Sequence, residues 1–531
     1  MTSFRVLIAD AIASEGLTPL RDDDRFEVIE RPGLKGEDLA RALEGVHAVI
    51  VRSSTRITRD SLKYADTLEV IGRAGVGVDN IDVDAATERG VAVLNAPSGN
   101  TISAAELTFA LILACVRRIP AADRSMKTGE WDRKSFTGTE LYGKTLGLVG
   151  AGRIGGEVAR RARAFGMRVC AYDPYLTTER ASTLEIELAP LDQVLARADV
   201  LSLHVPLTET TAGLIGAAEL ASMKRGAVVV NAARGGVLDE GALAAAVRSG
   251  HLAGAGLDVF AQEPAPADHP LRSVEQVVLT PHLGAATQEA QLNVAVEIAE
   301  AVRAALADGD HTRAVNAPAI GGEEMRRLRP MLELCERLGR IAAALSDGAP
   351  NHAVVRYSGP HDGALRPIAS AVIAGALRPI VGKGAVNMVN ALHIAEARGI
   401  QIERSRVGAH GPYEEFVEVR LGGENGEARV AGAVVAGRHP RVVRIDRYRI
   451  VVRPRGALVI LRNRDVPGVI GRVGTLLGAA GVNIAEYHQA RGQAGEDALA
   501  AISTDGWLSD SLLAELSALP DVTDVRQVDL D

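Results

Sequence analysis

The chain has 531 residues, too many for one ordinary core, and roughly three or four domains are expected for that length. Its 47% hydrophobic and 24% charged residues are those of a globular protein, and the formal charge of −8 argues against a general nucleic-acid or membrane-surface role. Cys115, Cys170 and Cys335 are widely spaced, form no CxxC pair and sit in apolar surroundings, which reads as buried thiols in a reducing compartment rather than disulfides or metal ligands. The N-terminus, MTSFRVLIAD, carries a charge inside its short apolar run and reads as a strand, not a signal peptide. The longest apolar segment, Leu107 to Val116, is too short to span a bilayer, so a cytoplasmic protein is expected.

Residues 4–99 alternate short strands and helices, with strands predicted at Arg5–Ala9, Phe26–Glu30, Ala48–Val51 and Leu68–Ile71 and a helix at Gly36–Leu43. Arg52-Ser53-Ser54 follows the third strand. The Gly-rich loop from Arg73 through Gly75 and Gly77 to Asn80 follows the fourth and offers free backbone donors to a cleft. After Pro97 the pattern predicts a helix over Ser103–Ile119. Next comes a strand, Thr145–Val149, then Gly150-Ala-Gly152-Arg153-Ile154-Gly155, a helix with Val158, Ala159, Ala162 and Phe165 on one side, and a second strand, Arg168–Tyr172, that ends at Asp173. That is a dinucleotide-binding order. Gly150 makes the tight turn, Gly152 lets the backbone approach a pyrophosphate, and Asp173 can accept both ribose hydroxyls while repelling a 2′-phosphate. The strand–helix alternation continues to Leu279, and a helix over Ala290–Leu306 carries the chain back. Crossings near 97–103 and 284–290 predict two lobes with a cleft between them.

Three loops that follow apolar strands carry candidate chemistry: Ala232-Ala233-Arg234-Gly235, Gln262-Glu263-Pro264 and Pro281-His282-Leu283-Gly284. Ligands of open parallel sheets sit outside the carboxyl ends of the strands, where an arginine, a glutamate and a histidine can converge. Taken singly, each has a plainer reading: Arg234 as a solvated cation, Glu263 as a turn residue, His282 as a helix cap. Together they suit oxidation of a secondary alcohol. A neutral imidazole takes the hydroxyl proton, a carboxylate fixes its tautomer, and a guanidinium fork holds a substrate carboxylate.

After Pro318 the composition shifts toward Ala, Gly, Val and Arg. Strands are predicted at Ala353–Tyr357, Phe416–Leu421 and Arg429–Val435, and helices at Leu328–Ala344, Ile368–Ala376 and Val386–Gly399. Seven arginines between Arg438 and Arg455 have only Asp446 opposing them within the stretch. They read as a solvated strand face or, more sharply, as a small-anion site. From Ala457 the order is strand, helix, strand, strand, helix, strand, with a Pro467-Gly468 loop opening the first helix.

The motifs GAGRIG with Asp173, NAARGG, LDVFAQEP and TPHLGA resemble the D-2-hydroxyacid dehydrogenase family over residues 1–316. Over its full length the chain resembles the long-form members that oxidise 3-phosphoglycerate at the head of L-serine synthesis. The resemblance implies an α/β fold of two doubly wound (Rossmann-like) domains, then an α+β intervening regulatory domain and a βαββαβ ACT domain. Its boundaries would be 1–99 with 285–316 for the substrate lobe, 100–284 for NAD, 317–456 and 457–531. It implies NAD as cofactor, held by Gly150, Gly152, Arg153, Ile154, Gly155, Asp173, Ala232, Ala233, Arg234, Asp258, His282, Leu283, Gly284 and Ala285. Arg234, Glu263 and His282 would be catalytic, and Arg52, Ser53, Gly75 and Asn100 would take the substrate or its phosphate. Members with a second arginine two positions after the first have it where this chain has Ser54, which leaves Arg56 or a neighbouring subunit to supply the charge. L-serine would be sensed at Asn463, Asp465 and Asn483 of a homotetramer, with no metal, nucleic acid or membrane partner. A glycerate or hydroxypyruvate reductase, which has no need of Arg52, and an NAD-sensing corepressor-like protein are the other readings.

Overall fold

The computed structural model describes residues 3–318, 320–346, 348–382, 385–408, 412–423, 426–492 and 497–531. Five strands, β1 (Phe4–Ile8), β2 (Phe26–Glu30), β3 (Ala48–Val51), β4 (Val70–Arg73) and β5 (Ala92–Asn95), make a parallel sheet in the order β2-β1-β3-β4-β5. Its central strands are apolar on both faces because helices cover both. Val6, Ile8, Ile50 and Leu94 pack against Val294, Ile298 and Val302 of the Gln288–Asp308 helix. Leu7, Val49, Ile71 and Val93 pack against Leu39 and Ala85 on the other side.

The second sheet is built from β6 (Thr145–Val149), β7 (Arg168–Tyr172), β8 (Glu187–Leu188), β9 (Val200–Leu203), β10 (Val228–Asn231), β11 (Gly254–Leu257) and β12 (Val277–Leu279). All pairs are parallel, in the order β12-β11-β10-β9-β6-β7-β8. The order reverses at β6, so the crevice for a ligand opens at the carboxyl ends of β6 and β9. Ala105, Phe109 and Ile112 of the Thr101–Val116 helix pack onto this sheet. One helix thus enters the second lobe from the first, and the Gln288–Asp308 helix returns.

Three local expectations shift. The fourth strand runs from Val70 to Arg73, two residues later than expected, because the N–H groups of Glu69 and Val70 both turn to the His47 carbonyl. The long helix stops at Val116; Arg118 adopts φ 54°, and a new helix, Ile119–Lys127, starts with Pro120 in its first turn. The helix expected from Val386 begins only at Ala391, because the Asn387 side chain accepts the Val389 and Asn390 N–H groups and closes a local turn instead.

The third sheet contains β13 (Pro350–Ser358), β14 (Gln401–Arg406), β15 (Glu415–Gly423), β16 (Gly426–Val435), β17 (His439–Ile445) and β18 (Tyr448–Val452), ordered β14-β13-β15-β16-β17-β18. The fourth is antiparallel: β19 (Ala457–Arg464), β20 (Ile484–Arg491), β21 (Asp497–Thr504) and β22 (Val522–Asp529), ordered β20-β21-β19-β22. Val459 and Leu461 face the sheet's own helices, whereas Leu458, Ile460, Leu499, Ala501 and Val528 join the core of the third sheet. Arg340, 7% exposed, donates to the backbone carbonyls of Asp529 and Asp531 at 3.2 and 2.8 Å. The last two sheets therefore share one core. The 438–455 arginines also meet more acid than their own stretch supplies. Arg444 reaches Glu418 on β15, Arg447 reaches Asp497 on β21, and Arg453 reaches Glu486 on β20. Among the described residues no helix is long and apolar enough to cross a membrane.

Candidate active site

The cofactor cradle forms where β6 turns into the Arg153–Ala164 helix. Gly150 has φ 90°, and a Cβ there would lie 2.6 Å from the His204 carbonyl oxygen, so only glycine fits. Nothing lies within 4 Å of the space a Gly152 side chain would fill, which leaves the backbone open to a ligand. The helix start has no side-chain cap and no acid in its first turn, so its N–H groups are free for a phosphate. Asp173, just past β7, accepts from Ala151 N at 2.8 Å and from Tyr175 N at 2.9 Å. Each oxygen keeps a further lone pair for a ribose hydroxyl. These residues fit a dinucleotide.

Between the lobes lies a cavity of about 500 Å³ that gathers most of the expected residues. Arg52, Ser53, Gly75 and Asn100 line one side; Ile154, Ala232, Ala233, Arg234, Asp258, Glu263, His282, Gly284 and Ala285 line the other. His282 Nδ1 lies 2.7 Å from Glu263 Oε2. That hydrogen bond raises the imidazole pKa above its ordinary value, against the pull of burial, and the charges of Glu263 and Asp258 add to it. Burial pushes Glu263 up, but the hydrogen bonds from His282 and the Phe260 N–H outweigh it and hold the carboxyl below its usual range. The other histidine lining the cavity, His204, has no such partner; burial brings it down to about 4, so it stays neutral near pH 7.

Two carboxylates, the buried Asp258 and the half-buried Glu240, hold the loops that carry this pair. Asp258, 0% exposed, accepts from Leu283 N at 2.7 Å, Gly284 N at 2.9 Å and the Thr280 hydroxyl at 2.6 Å. Its own carbonyl takes the His282 N–H, and His282 sits at φ 57°. Expected among the residues that hold NAD, Asp258 is thus largely committed to the loop that carries His282. On the Glu263 loop, Glu240 accepts the Ala261 N–H at 2.7 Å and meets His269 Nε2 at 2.6 Å. Glu240 and His269 gave no signal in the sequence, because they act on backbone through a distant helix.

The opposite wall shows how Ser54 is used. The Ser54 hydroxyl donates to the buried Asp10 at 2.9 Å, and Asp10 also takes the backbone N–H groups of Arg52 and Thr55. Arg56 lines a separate cavity with Lys35 and Lys63, away from the cleft. Arg73, not singled out in the sequence, lines the cleft beside Arg52 and Arg234. Burial and the charge of Arg234 bring Arg73 down to about 10, and its buried Nε has no protein partner. A Cβ on Gly75 would lie 1.3 Å from Arg73 Nη1, so the glycine makes the space that the folded-back guanidinium fills. The Arg-Ala-Gly order was legible, but read only for backbone donors. Asn100 Oδ1 is likewise buried without a protein partner. Arg234 reaches across the cleft to Asp79, Nε to Oδ2, at 3.3 Å.

This geometry can be compared with known proteins. The family description "D-isomer specific 2-hydroxyacid dehydrogenase, NAD binding domain" matches residues 109–284, and "D-3-phosphoglycerate dehydrogenase intervening domain" matches residues 327–446. D-3-phosphoglycerate dehydrogenase of Bacillus subtilis is 40% identical over 99% of this chain and 100% of its own. The Archaeoglobus fulgidus protein of the same name is 42% identical over 99% and 100%. The chain belongs to the D-3-phosphoglycerate dehydrogenase family. Among solved structures, the TT0316 protein of Thermus thermophilus superposes with TM-score 0.54 at 38% identity, covering 59% of this chain and all of that one. The NAD-dependent formate dehydrogenase of Staphylococcus aureus, in complex with NAD, gives 0.52 at 29%, covering 57% and 96%. As a member of the family the chain is an NAD-dependent oxidoreductase of the 2-hydroxyacid dehydrogenase type.

The residues expected to sense an effector in the C-terminal domain are less gathered than those of the cleft. Asn463 is buried, donates to the Arg464 carbonyl at 2.6 Å and leaves Oδ1 without a partner. Asp465, with a side chain 10% exposed, faces Arg491 at 3.3 Å, while Asn483 donates to Asp505 at 2.7 Å. Among the described residues no hydrogen bond connects the three to one another.

The His282–Glu263 pair can be tested without turnover. Glu263→Gln removes the charge that raises His282, so the imidazole is expected to titrate at lower pH, nearer its ordinary value. An NMR titration of the ring reads this; an unchanged midpoint would contradict the geometry.

Proposed function

We propose that the chain oxidises 3-phospho-D-glycerate to 3-phosphohydroxypyruvate with NAD, in the cytoplasm, as the first step of L-serine synthesis. The observation that carries this is the meeting of three guanidinium groups, Arg52, Arg73 and Arg234, with the His282–Glu263 pair in one cavity. Three cations suit a substrate that brings both a carboxylate and a phosphate; an unphosphorylated hydroxy acid would leave two of them without an anion.

Bound NAD supplies the acceptor for the hydride that leaves C2 of the substrate. Glu263 occupies His282 Nδ1, so Nε2 is the nitrogen left to take the hydroxyl proton. The carboxylate holds the tautomer and stabilises the imidazolium that forms. Arg234 presents donors to the carboxylate of the substrate, and its contact with Asp79 gives it a counter-charge until substrate arrives. Arg52, Arg73 and the backbone N–H of Ser53 take the phosphate; the Gly75 N–H is taken by the Arg73 carbonyl at 2.8 Å, so that residue shapes the wall, and Asn100 supplies the unpartnered Oδ1 and its amide. Asp173 favours NAD over NADP, since a 2′-phosphate a few ångströms away would be repelled by roughly a few kcal/mol at intermediate dielectric. Pro174-Tyr175-Leu176 offers no arginine to reverse that.

The reading includes feedback by L-serine at Asn463, Asp465 and Asn483, in a homotetramer. Support comes from the unpartnered Asn463 Oδ1 and from the Val469–Ala479 helix, whose start has no side-chain cap and so leaves N–H groups for a carboxylate. The exposed Trp131 and Tyr142, at 78% and 76%, offer apolar surface for a second copy.

Two experiments follow. NADH formation from 3-phosphoglycerate should fall about a hundredfold or more in kcat for His282→Ala, since acid–base terms are typically ~10²–10⁴. Arg73→Ala should act mainly on KM, by roughly tenfold or more for loss of a charge-assisted phosphate contact. A wild-type rate in His282→Ala would sink the mechanism, and an unchanged KM would remove Arg73 from the phosphate site. For the effector, Asp465→Ala should abolish serine inhibition while uninhibited kcat and KM stay within about twofold, because the site is remote from the cleft. A point variant is the right tool, since the fourth sheet shares its core with the third. Retained inhibition would place the effector elsewhere.

A further inference from the structure

Residues 87–95 of the first lobe are gripped from two directions. Asn316, at the junction into the C-terminal half, accepts the Val93 N–H at 2.8 Å and donates to Thr87 Oγ1 and the Val91 carbonyl, each at 2.9 Å. From the turn before the Ala391–Ala397 helix, Asn387 donates to the Gly90 carbonyl at 2.8 Å and Asn390 to the Glu88 carbonyl at 3.2 Å. The two asparagines also bond each other, so the grip is set before it closes. Val389, between them, packs on the core of the first lobe. Gly90 has φ 73°, and a Cβ there would lie 2.4 Å from Asn387 Nδ2, so the contact needs that glycine. Beside it a cavity of about 850 Å³ separates the halves, which concentrates their connection on this segment.

The gripped segment runs directly into β5, the last strand of its sheet, which pairs with β4 on one side and is bridged on the other by residues 313–315, where Val315 N donates to the Val93 carbonyl at 2.9 Å and Asn95 N to the Arg313 carbonyl at 3.3 Å. Asn95 ends β5 and donates through Nδ2 to the Val76 carbonyl at 2.7 Å, while Ala96 N donates to the Gly75 carbonyl at 2.9 Å. The loop so held, Gly75 to Asp79, lines the active-site cavity beside Arg73, and its Asp79 holds Arg234. The backbone of residues 88–96 therefore runs from the contacts of Asn387 and Asn390 directly to the contacts of Asn95 and Ala96 with the loop.

We propose that Asn95 is a positioning residue for the Gly75–Asp79 substrate loop, and that Asn387 sets the same loop from the C-terminal half through the strand Ala92–Asn95. The path ends on the substrate wall, whereas His282, Glu263 and Asp258 belong to the other lobe, so it governs substrate affinity rather than the proton transfer. The kinetic part rests on 3-phosphoglycerate being the substrate, as proposed above.

The test uses the full-length chain with Asn95→Asp, which keeps the size and removes the donor, and Asn387→Ala, with Asn387→Ser in reserve should the alanine variant not fold. Each is expected to raise KM for 3-phosphoglycerate about three- to tenfold, the worth of one hydrogen bond, with kcat, KM for NAD and the pH profile within about twofold. The double variant should raise KM by less than the product of the two effects, because both act on one loop. Without any substrate, amide exchange at residues 75–79 should quicken in Asn387→Ala. A wild-type enzyme inactive on 3-phosphoglycerate would refute the substrate, and the exchange measurement would then decide the coupling alone. Unchanged exchange at 75–79, or a fall in kcat and NAD binding equal to the change in KM, would overturn the proposal.

Discussion

The site depends on a carboxylate that touches no solvent. Asp258 is fully buried, and an isolated buried charge is costly unless its lone pairs are filled. The Thr280 hydroxyl and the N–H groups of Leu283 and Gly284 fill them, and in doing so fold the 280–284 loop around one point. His282 is carried on that loop at a positive φ that an L-residue adopts only when its surroundings insist. Glu263 then meets a ring already aimed. The order of dependence is from Asp258 to the loop, from the loop to His282, and from His282 to the pair with Glu263.

The other wall is organised by the opposite imbalance. Arg52, Arg73 and Arg234 share one cleft, and the nearby acids are not all free to offset them: Asp79 meets Arg234, while Asp10 is taken up by backbone and hydroxyl donors. Burial lowers the pKa of Arg73, and the charges of Arg234 and Arg52 add to it. A dianionic phosphate would offset these charges more than any neutral group could, and in the function proposed above the substrate's phosphate would meet Arg52 and Arg73 while its carboxylate meets Arg234.

Much of this was legible in the chain because the second lobe advertises itself through short motifs at strand ends. Gly150, Asp173, Arg234, Glu263 and His282 each follow an apolar run, and parallel topology brings such positions to one edge of the sheet, where Arg234, Glu263 and His282 line one cavity. Arg73 was not singled out, because its role depends on a side chain folding back over Gly75, which no periodicity encodes. Asp258 was expected at the cofactor, and only tertiary contacts show its oxygens committed to backbone. The helix expected from Val386 failed for a local reason: Asn387 and Asn390 spend their side chains on turns and on the first lobe. Residues paired far along the chain, such as Glu240 with His269, or Arg340 with the C-terminal strand, lie beyond any pattern of neighbours.

The central claim is that the cleft is built for a phosphorylated hydroxy acid, and selectivity in the unmodified enzyme tests it most directly. Initial rates of NADH formation give kcat/KM for 3-phosphoglycerate and for D-glycerate, which differ only in the phosphate. Two charge-assisted contacts at roughly 1.5–3 kcal/mol each predict a ratio of about a hundredfold or more in favour of the phosphorylated acid. Comparable values for the two substrates would contradict the account and leave Arg52 and Arg73 without a role in recognition.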